Sequence, residues 1–136
     1  MAQIRDVMTS NPTTVERSTN ILEAAKVMAG EDVGPLPVTD GGRLVGIVTD
    51  RDIVTRVLAE ERDPQSTTVG DICSSDLVTV TPEDDLDQAL RTMASAQVRR
   101  LPVVEGDRIV GIVAQADVAR QAPEQQTGEI VEEISR

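Results

Sequence analysis

The sequence predicts an α/β fold of the α+β type: two βαββα repeats, related by a pseudo-twofold axis, forming one module. Three observations point there. The chain carries a gapless internal duplication, each copy reads strand–helix–hairpin–helix in the same register, and the core is aliphatic, with no Phe, Tyr or Trp.

The duplication is the strongest of these, and repeats decide an architecture before any local reading does. Shifting the chain by 65 residues lays Leu36-Pro37-Val38 on Leu101-Pro102-Val103 and Val45-Gly46-Ile47-Val48 on Val110-Gly111-Ile112-Val113. Between Asp6–Ile53 and Asp71–Val118, 18 of 48 positions are identical. Chance at ordinary composition gives roughly three or four.

Within each copy the elements follow in order. Thr14-Val15 and Val78-Thr79-Val80 are short β-branched stretches, hence brief strands. Asn20 and Asp85 stand three residues before Glu23 and Gln88, a variant of the capping box that opens a helix. Ile21, Ala24, Ala25 and Met28, and in the second copy Leu86, Ala89, Leu90 and Met93, then share one helical face. Gly30 weakens the first of these helices at its end. The apolar runs around Asp40-Gly41-Gly42 and Glu105-Gly106-Asp107 predict hairpins, because Gly permits the positive φ that tight turns need. A last helix runs from Asp50 to about Glu60, and from Gln115 to about Gln121 before Pro123. The expected divisions are 1–62, then 63–122 with a linker over 63–69, then a tail over 123–136. In that tail Ile130, Val131 and Ile134 fit either a short amphipathic helix packed on the body or on a partner, or a frayed end.

Composition removes whole classes of function. With 13 Lys+Arg against 24 Asp+Glu, the net charge of −11 repels a phosphate backbone. The missing aromatics leave no platform for stacking bases, so no nucleic-acid partner is expected. Without histidine there is no imidazole base, no Ser-His-Asp triad and no His-bearing zinc site. No Walker A run and no convincing metal cluster is present either, so the expectation is no enzyme, no bound metal and no covalent cofactor. Cys73 is the only cysteine and aligns with Met8, reading as a small buried hydrophobe. The start has no signal-peptide core and no apolar run approaches a membrane span, so a cytoplasmic protein without membrane contact is expected.

The order of Thr-Val, capped helix, Leu-Pro-Val, glycine turn and Val-Gly-Ile-Val-Thr-Asp-Arg-Asp resembles the CBS domain, here as a tandem pair over about Ile4 to Gln121. The resemblance implies a regulatory role, adenosine-containing ligands (AMP, ADP, ATP or S-adenosylmethionine) in the cleft between the repeats, and disc-shaped homodimers. A downstream protein partner is implied but not identified by the sequence.

Candidate site residues cluster at two places. Thr49, Asp50, Arg51 and Asp52 stand where a strand runs into a helix. In the bland reading Asp50 caps that helix and Asp52 complements its dipole. In the functional reading, which the resemblance favours, Thr49 and Asp52 hold ribose and phosphate, with Arg51 a weaker phosphate contact. Arg99 and Arg100 precede the second Leu-Pro-Val, and a planar guanidinium suits phosphate. Their counterparts in the first copy are Gly34 and Pro35, while Ala114 replaces Thr49 and Asp117 matches Asp52. This asymmetry predicts one composite site per chain, with the Asp117 site weaker or empty. Thr14, Val15, Val33 and Leu36 line the adenine slot by the same resemblance, while for each taken singly ordinary core is the plainer account. The alternative function is a ligand-free dimerising scaffold or stress-related interaction protein. For assembly, Ile53, Val54, Val57 and Leu58 are too many apolar residues for one small module to cover.

Overall fold

A computed structural model describes residues 2–120. The tail 123–136, and the end of the last helix near Gln121, lie outside the described residues. Two compact units are present: Thr13–Leu77, and Met1–Pro12 together with the chain from Val78 onward.

The Thr13–Leu77 unit follows the predicted order. β2 (Val15–Glu16) leads into α1 (Ile21–Glu31), then β3 (Pro35–Asp40), β4 (Arg43–Thr49) and α2 (Asp50–Ile53). The Asn20 side chain accepts the Glu23 N–H at 2.9 Å, which opens α1 as the sequence predicts. Helix α1 runs past Gly30 and stops at Asp32, which takes the left-handed conformation. β2 lies parallel to β3 and pairs Val15 with Val38, while β3 and β4 form an antiparallel hairpin. Its two turn residues, Gly41 and Gly42, both have positive φ, as a tight hairpin of right-twisted strands requires. A clip seats that turn: Glu16 accepts bonds from the Thr39 hydroxyl and, at 3.0 Å, from the Gly41 N–H.

The last helix departs from the expected regular helix. After α2 the chain winds as a π turn over Val54–Leu58, with Ala59 N–H donating to Val54 and Arg62 N–H to Val57, each at 2.9 Å. Nothing in side-chain periodicity signals this widening. Val57 is buried, whereas Val54 and Leu58 are 55% and 56% exposed.

The other unit repeats the pattern. α4 (Leu86–Ala96) opens on Asp85, which accepts the Gln88 N–H at 2.8 Å, and β5 (Arg100–Glu105) pairs antiparallel with β6 (Arg108–Ala114) before α5 (Gln115–Ala119). Val80 makes a single parallel bridge to Val103, in place of a longer first strand.

Each unit also contains an element beyond the βαββα order that the sequence predicts. In the second unit a 3-10 turn at Ile4–Asp6 and β1 (Thr9–Ser10) precede everything else; β1 pairs with β6, and Ile4 is fully buried among Leu90, Met93 and Leu101. In the Thr13–Leu77 unit, α3 (Val69–Ile72) buries Val69 and Ile72 beside Val15 and Val57, and Ser74 bridges Ile47. Val69 lies 65 residues after Ile4, so these are equivalent segments. Each compact unit therefore joins the leading segment of one repeat to the body of the other. The physical reason is local: a βαββα body leaves one sheet edge and its glycine bare. At Gly46 an added Cβ would stand 2.6 Å from Cys73 Sγ and 2.9 Å from the Ser74 carbonyl. At Gly111 it would stand 2.6 Å from Met8 Sδ and 3.0 Å from the Thr9 carbonyl. The glycine of both Val-Gly-Ile-Val runs thus lets the exchanged segment lie flat on the strand.

Candidate functional site

The junction of β4 and α2 places Thr49, Asp50 and Asp52 together. Thr49 is the N-cap, with extended backbone, and its hydroxyl oxygen accepts the Asp52 N–H at 3.1 Å. Asp52 returns the contact by accepting the Thr49 N–H at 2.9 Å. This is a reciprocal capping box, so the cap is Thr49 and not Asp50 as the bland sequence reading had it. Asp50 is the first helical residue; its carboxylate accepts the Arg51 N–H at 2.9 Å, and its own N–H donates to the Gly34 carbonyl at 3.1 Å. Gly34 matters here, since a Cβ there would stand 3.2 Å from the Asp50 carboxylate.

The cap does not use up these side chains. A threonine hydroxyl has one donor hydrogen and two lone pairs, and a carboxylate offers two oxygens. Capping takes one lone pair of Thr49 and one oxygen of Asp52. The second Asp52 oxygen lies 3.8 Å from the exposed Arg56 guanidinium, with the carboxylate 18% exposed. What remains is a hydroxyl donor beside a carboxylate acceptor, a pairing suited to vicinal hydroxyls. Arg51 is exposed.

In the other unit the equivalent junction is chemically opposite. Ala114 is the N-cap without a side-chain bond, and Asp117 pairs with Arg120 instead of closing a box. Arg99 and Arg100 flank this junction: the Arg99 carbonyl accepts the Gln115 N–H at 2.7 Å, and Arg100 stands opposite Ala114 in the β5–β6 ladder. Both arginines are exposed, and among the described residues of their unit no carboxylate pairs with them. A hydroxyl with Asp50 and Asp52 thus stands at one junction, and Arg99 and Arg100 stand beside the uncapped turn of Asp117 at the other.

The four apolar candidates divide. Val15 and Leu36 are buried in the core cluster of their unit, at 6% and 1% exposure, while Thr14 and Val33 are at the surface. Cys73 is half-buried against Gly46, and burial pushes its thiol up from the ordinary range. Among the described residues no group of three His, Cys, Asp or Glu could hold a metal ion, and no helix is long and apolar enough to cross a membrane. Sequence reasoning missed the Asp52–Thr49 reciprocity, although the S/T-x-x-D spacing at Thr49 carried the signal.

Comparison with known proteins assigns the class. The CBS domain family model matches residues 4–59 and 69–124, so the chain belongs to the CBS domain family and carries two copies of the domain. Both matches begin at the exchanged leading segments. The chain is 40% identical to the CBS domain-containing protein YhcV of Bacillus subtilis, over 99% of this chain and 96% of that protein. Its fold matches the crystal structure of Hypoxic Response Protein I with two coordinated zinc ions, with TM-score 0.82 and 37% identity over 90% of this chain and all of that one. It matches CBSX2 in complex with AMP, at TM-score 0.76 and 27% identity over 93% and 99% of the two chains. It also matches the CBS domain pair of MJ0100 in complex with 5'-methylthioadenosine and S-adenosyl-L-methionine, at TM-score 0.77 and 29% identity over 89% and 95%.

Proposed function

We propose that this CBS pair is a regulatory, non-catalytic module that binds an adenosine-containing small molecule, working in the cytoplasm as a homodimer. The observation that carries the reading is the Thr49–Asp52 box, whose hydroxyl hydrogen and second carboxylate oxygen, the latter 3.8 Å from Arg56, offer a donor and an acceptor to a ribose. Support comes from relatives of the same fold solved with AMP, and with 5'-methylthioadenosine and S-adenosyl-L-methionine. Arg99 and Arg100 are the cations proposed for any phosphate, and Val33, 36% exposed, is the aliphatic contact proposed for the base; Leu36, 1% exposed, belongs to the core. Zinc does not carry over with the same force. The chain has no histidine and one cysteine, and the raised pKa of Cys73 disfavours the thiolate a metal needs.

Calorimetric titration with AMP, ADP, ATP and S-adenosylmethionine tests the reading. One ligand per chain is expected, with binding lost in Asp52→Ala, weakened in Arg99→Ala and Arg100→Ala, and nearly unchanged in Asp117→Ala. Two equal sites, or equal losses in Asp52→Ala and Asp117→Ala, would overturn the asymmetric site. No binding of any of the four at millimolar concentration favours the second reading, a ligand-free dimerising scaffold. The exposed Val54 and Leu58 on the π turn favour self-association under either reading. Light scattering that gives a monomer at tens of micromolar would remove the homodimer.

A further inference from the structure

Arg56 lies in the π turn, four residues after Asp52, and joins the Thr49–Asp52 box to another part of the same unit. Its Nη1–H donates to the Ile72 carbonyl at 2.9 Å, while its Nε stands 3.8 Å from Asp52 Oδ1. The first contact is a hydrogen bond. The second is longer than one, since N–H···O bonds close at about 2.7–3.2 Å. Asp52 Oδ2 accepts the Thr49 N–H, so Oδ1 is the oxygen left for a ligand.

This division is not what the spacing alone favours. Aspartate and arginine four residues apart share a helix face, and a guanidinium closes readily on a carboxylate through two parallel bonds. The second repeat shows the closed arrangement, with Arg120 bonded directly to Asp117. In the first repeat a competing acceptor intervenes. Ile72 is the last residue of α3, and a carbonyl at a helix end has no partner within its helix. The α3 segment is itself seated on the body of the unit. Gly70 N–H donates to the Arg17 carbonyl at 2.9 Å, and Ser74 exchanges backbone bonds with Ile47 at 2.9 and 3.0 Å.

We propose that Arg56 is a positioning residue for Asp52: the Ile72 carbonyl holds its guanidinium off Oδ1, so that oxygen stays open to a ribose hydroxyl while α3 is seated. This role rests on Thr49 and Asp52 being the ribose site. When α3 shifts, the guanidinium turns from Ile72 to Asp52 and closes the acceptor, as Arg120 closes Asp117. The seating of the segment that leads into the second repeat thus sets the affinity of the site in the first. By linkage the reverse also holds, and a ligand on Asp52 favours seated α3.

Two glycines allow α3 to be moved without touching the site. A Cβ at Gly70 would stand 2.8 Å from the Arg17 carbonyl, and one at Gly46 would stand 2.6 Å from Cys73 Sγ. Alanine at either position therefore pushes the α3 segment off the body. Full chains are titrated with AMP, ADP, ATP and S-adenosylmethionine. Gly70→Ala is expected to weaken binding by about tenfold or more, the weight of a hydrogen bond to a charged group. In an Arg56→Ala background the same substitution should change affinity by no more than about twofold, because no guanidinium is left to close on Asp52. Equal losses with and without Arg56 would overturn the proposal and leave Arg56 a structural staple. Gly46→Ala, which presses the same segment from β4, gives an independent comparison with the same expected pattern. A ligand-free crystal structure of Gly70→Ala should show Arg56 bonded to Asp52; a guanidinium still on the Ile72 carbonyl would also overturn the proposal. A natural chain that binds none of the four ligands defeats the ribose reading itself, and the role of Arg56 with it.

Discussion

The capping box at Thr49 permits a matched pair of substitutions, one removing a cap and one installing it at the equivalent place. In Thr49→Ala the Asp52 N–H loses its 3.1 Å acceptor, and the threonine side chain no longer holds the turn for the reciprocal 2.9 Å bond. Loss of a Thr N-cap costs about 1 kcal/mol, within a range of about 0.5–2. Ala114→Thr is the mirror experiment. Ala114 has φ −105 and ψ 147, close to the −118 and 163 of Thr49, so the new hydroxyl meets a backbone already set for capping. Asp117 already occupies the position three residues on, although its pairing with Arg120 competes for the carboxylate. The expected gain is therefore smaller, about 0.5 kcal/mol. For a chain of this size a loss of 1 kcal/mol lowers Tm by about 3–5 °C. With no Phe, Tyr or Trp there is no intrinsic fluorescence to follow, so unfolding is read by far-UV circular dichroism in urea or by calorimetry. The midpoint should fall for Thr49→Ala and rise for Ala114→Thr at an unchanged slope. A Thr49→Ala chain as stable as the natural one, or an Ala114→Thr chain that is destabilised, would refute the assignment of Thr49 as a structural cap.

Three further outcomes are expected. Gly46→Ala drives a methyl group to 2.6 Å from Cys73 Sγ and 2.9 Å from the Ser74 carbonyl; such overpacking costs about 1–3 kcal/mol. Adding Cys73→Ala should restore only part of that loss, since the carbonyl remains, and full restoration in a melting experiment would contradict the account. Glu16 and Asp71 are both held below their ordinary pKa, Glu16 chiefly by the Thr39 hydroxyl and Asp71 chiefly by the Thr68 backbone N–H. Depressed folded pKa values mean stability present above the unfolded values of 4.5 and 3.8 and lost as pH falls through the folded ones. Glu16→Gln should flatten the acid limb of a stability profile, and a profile identical to the natural chain would exclude this contribution. Finally, Ile4→Ala empties a fully buried site in the unit built on the second repeat, at a cost of about 2–5 kcal/mol. Hydrogen exchange should then accelerate in α4, β5 and β6 more than in α1, β3 and β4; the reverse order would argue against the exchange of leading segments.

The repeat, the helix caps at Asn20 and Asp85 and the glycine hairpins were legible in the sequence, because each is a local pattern read over a few residues. So was the chemical asymmetry between Thr49 and Ala114, and between Gly34-Pro35 and Arg99-Arg100, since a duplicated chain serves as its own control. Three features needed the tertiary structure. Ile4 and Val69 look like any apolar residues in a leader or linker; which body buries them depends on contacts with residues far along the chain, such as Leu101 for Ile4. The π turn at Val54–Leu58 leaves the apolar spacing of an ordinary helix nearly unchanged, so periodicity could not report it. The roles of Gly46 and Gly111 were hidden because both have ordinary φ and need glycine only for the backbone laid across them. Local pattern fixes the elements through backbone geometry and capping, whereas burial and close approach are properties of pairs of segments that a linear sequence does not order.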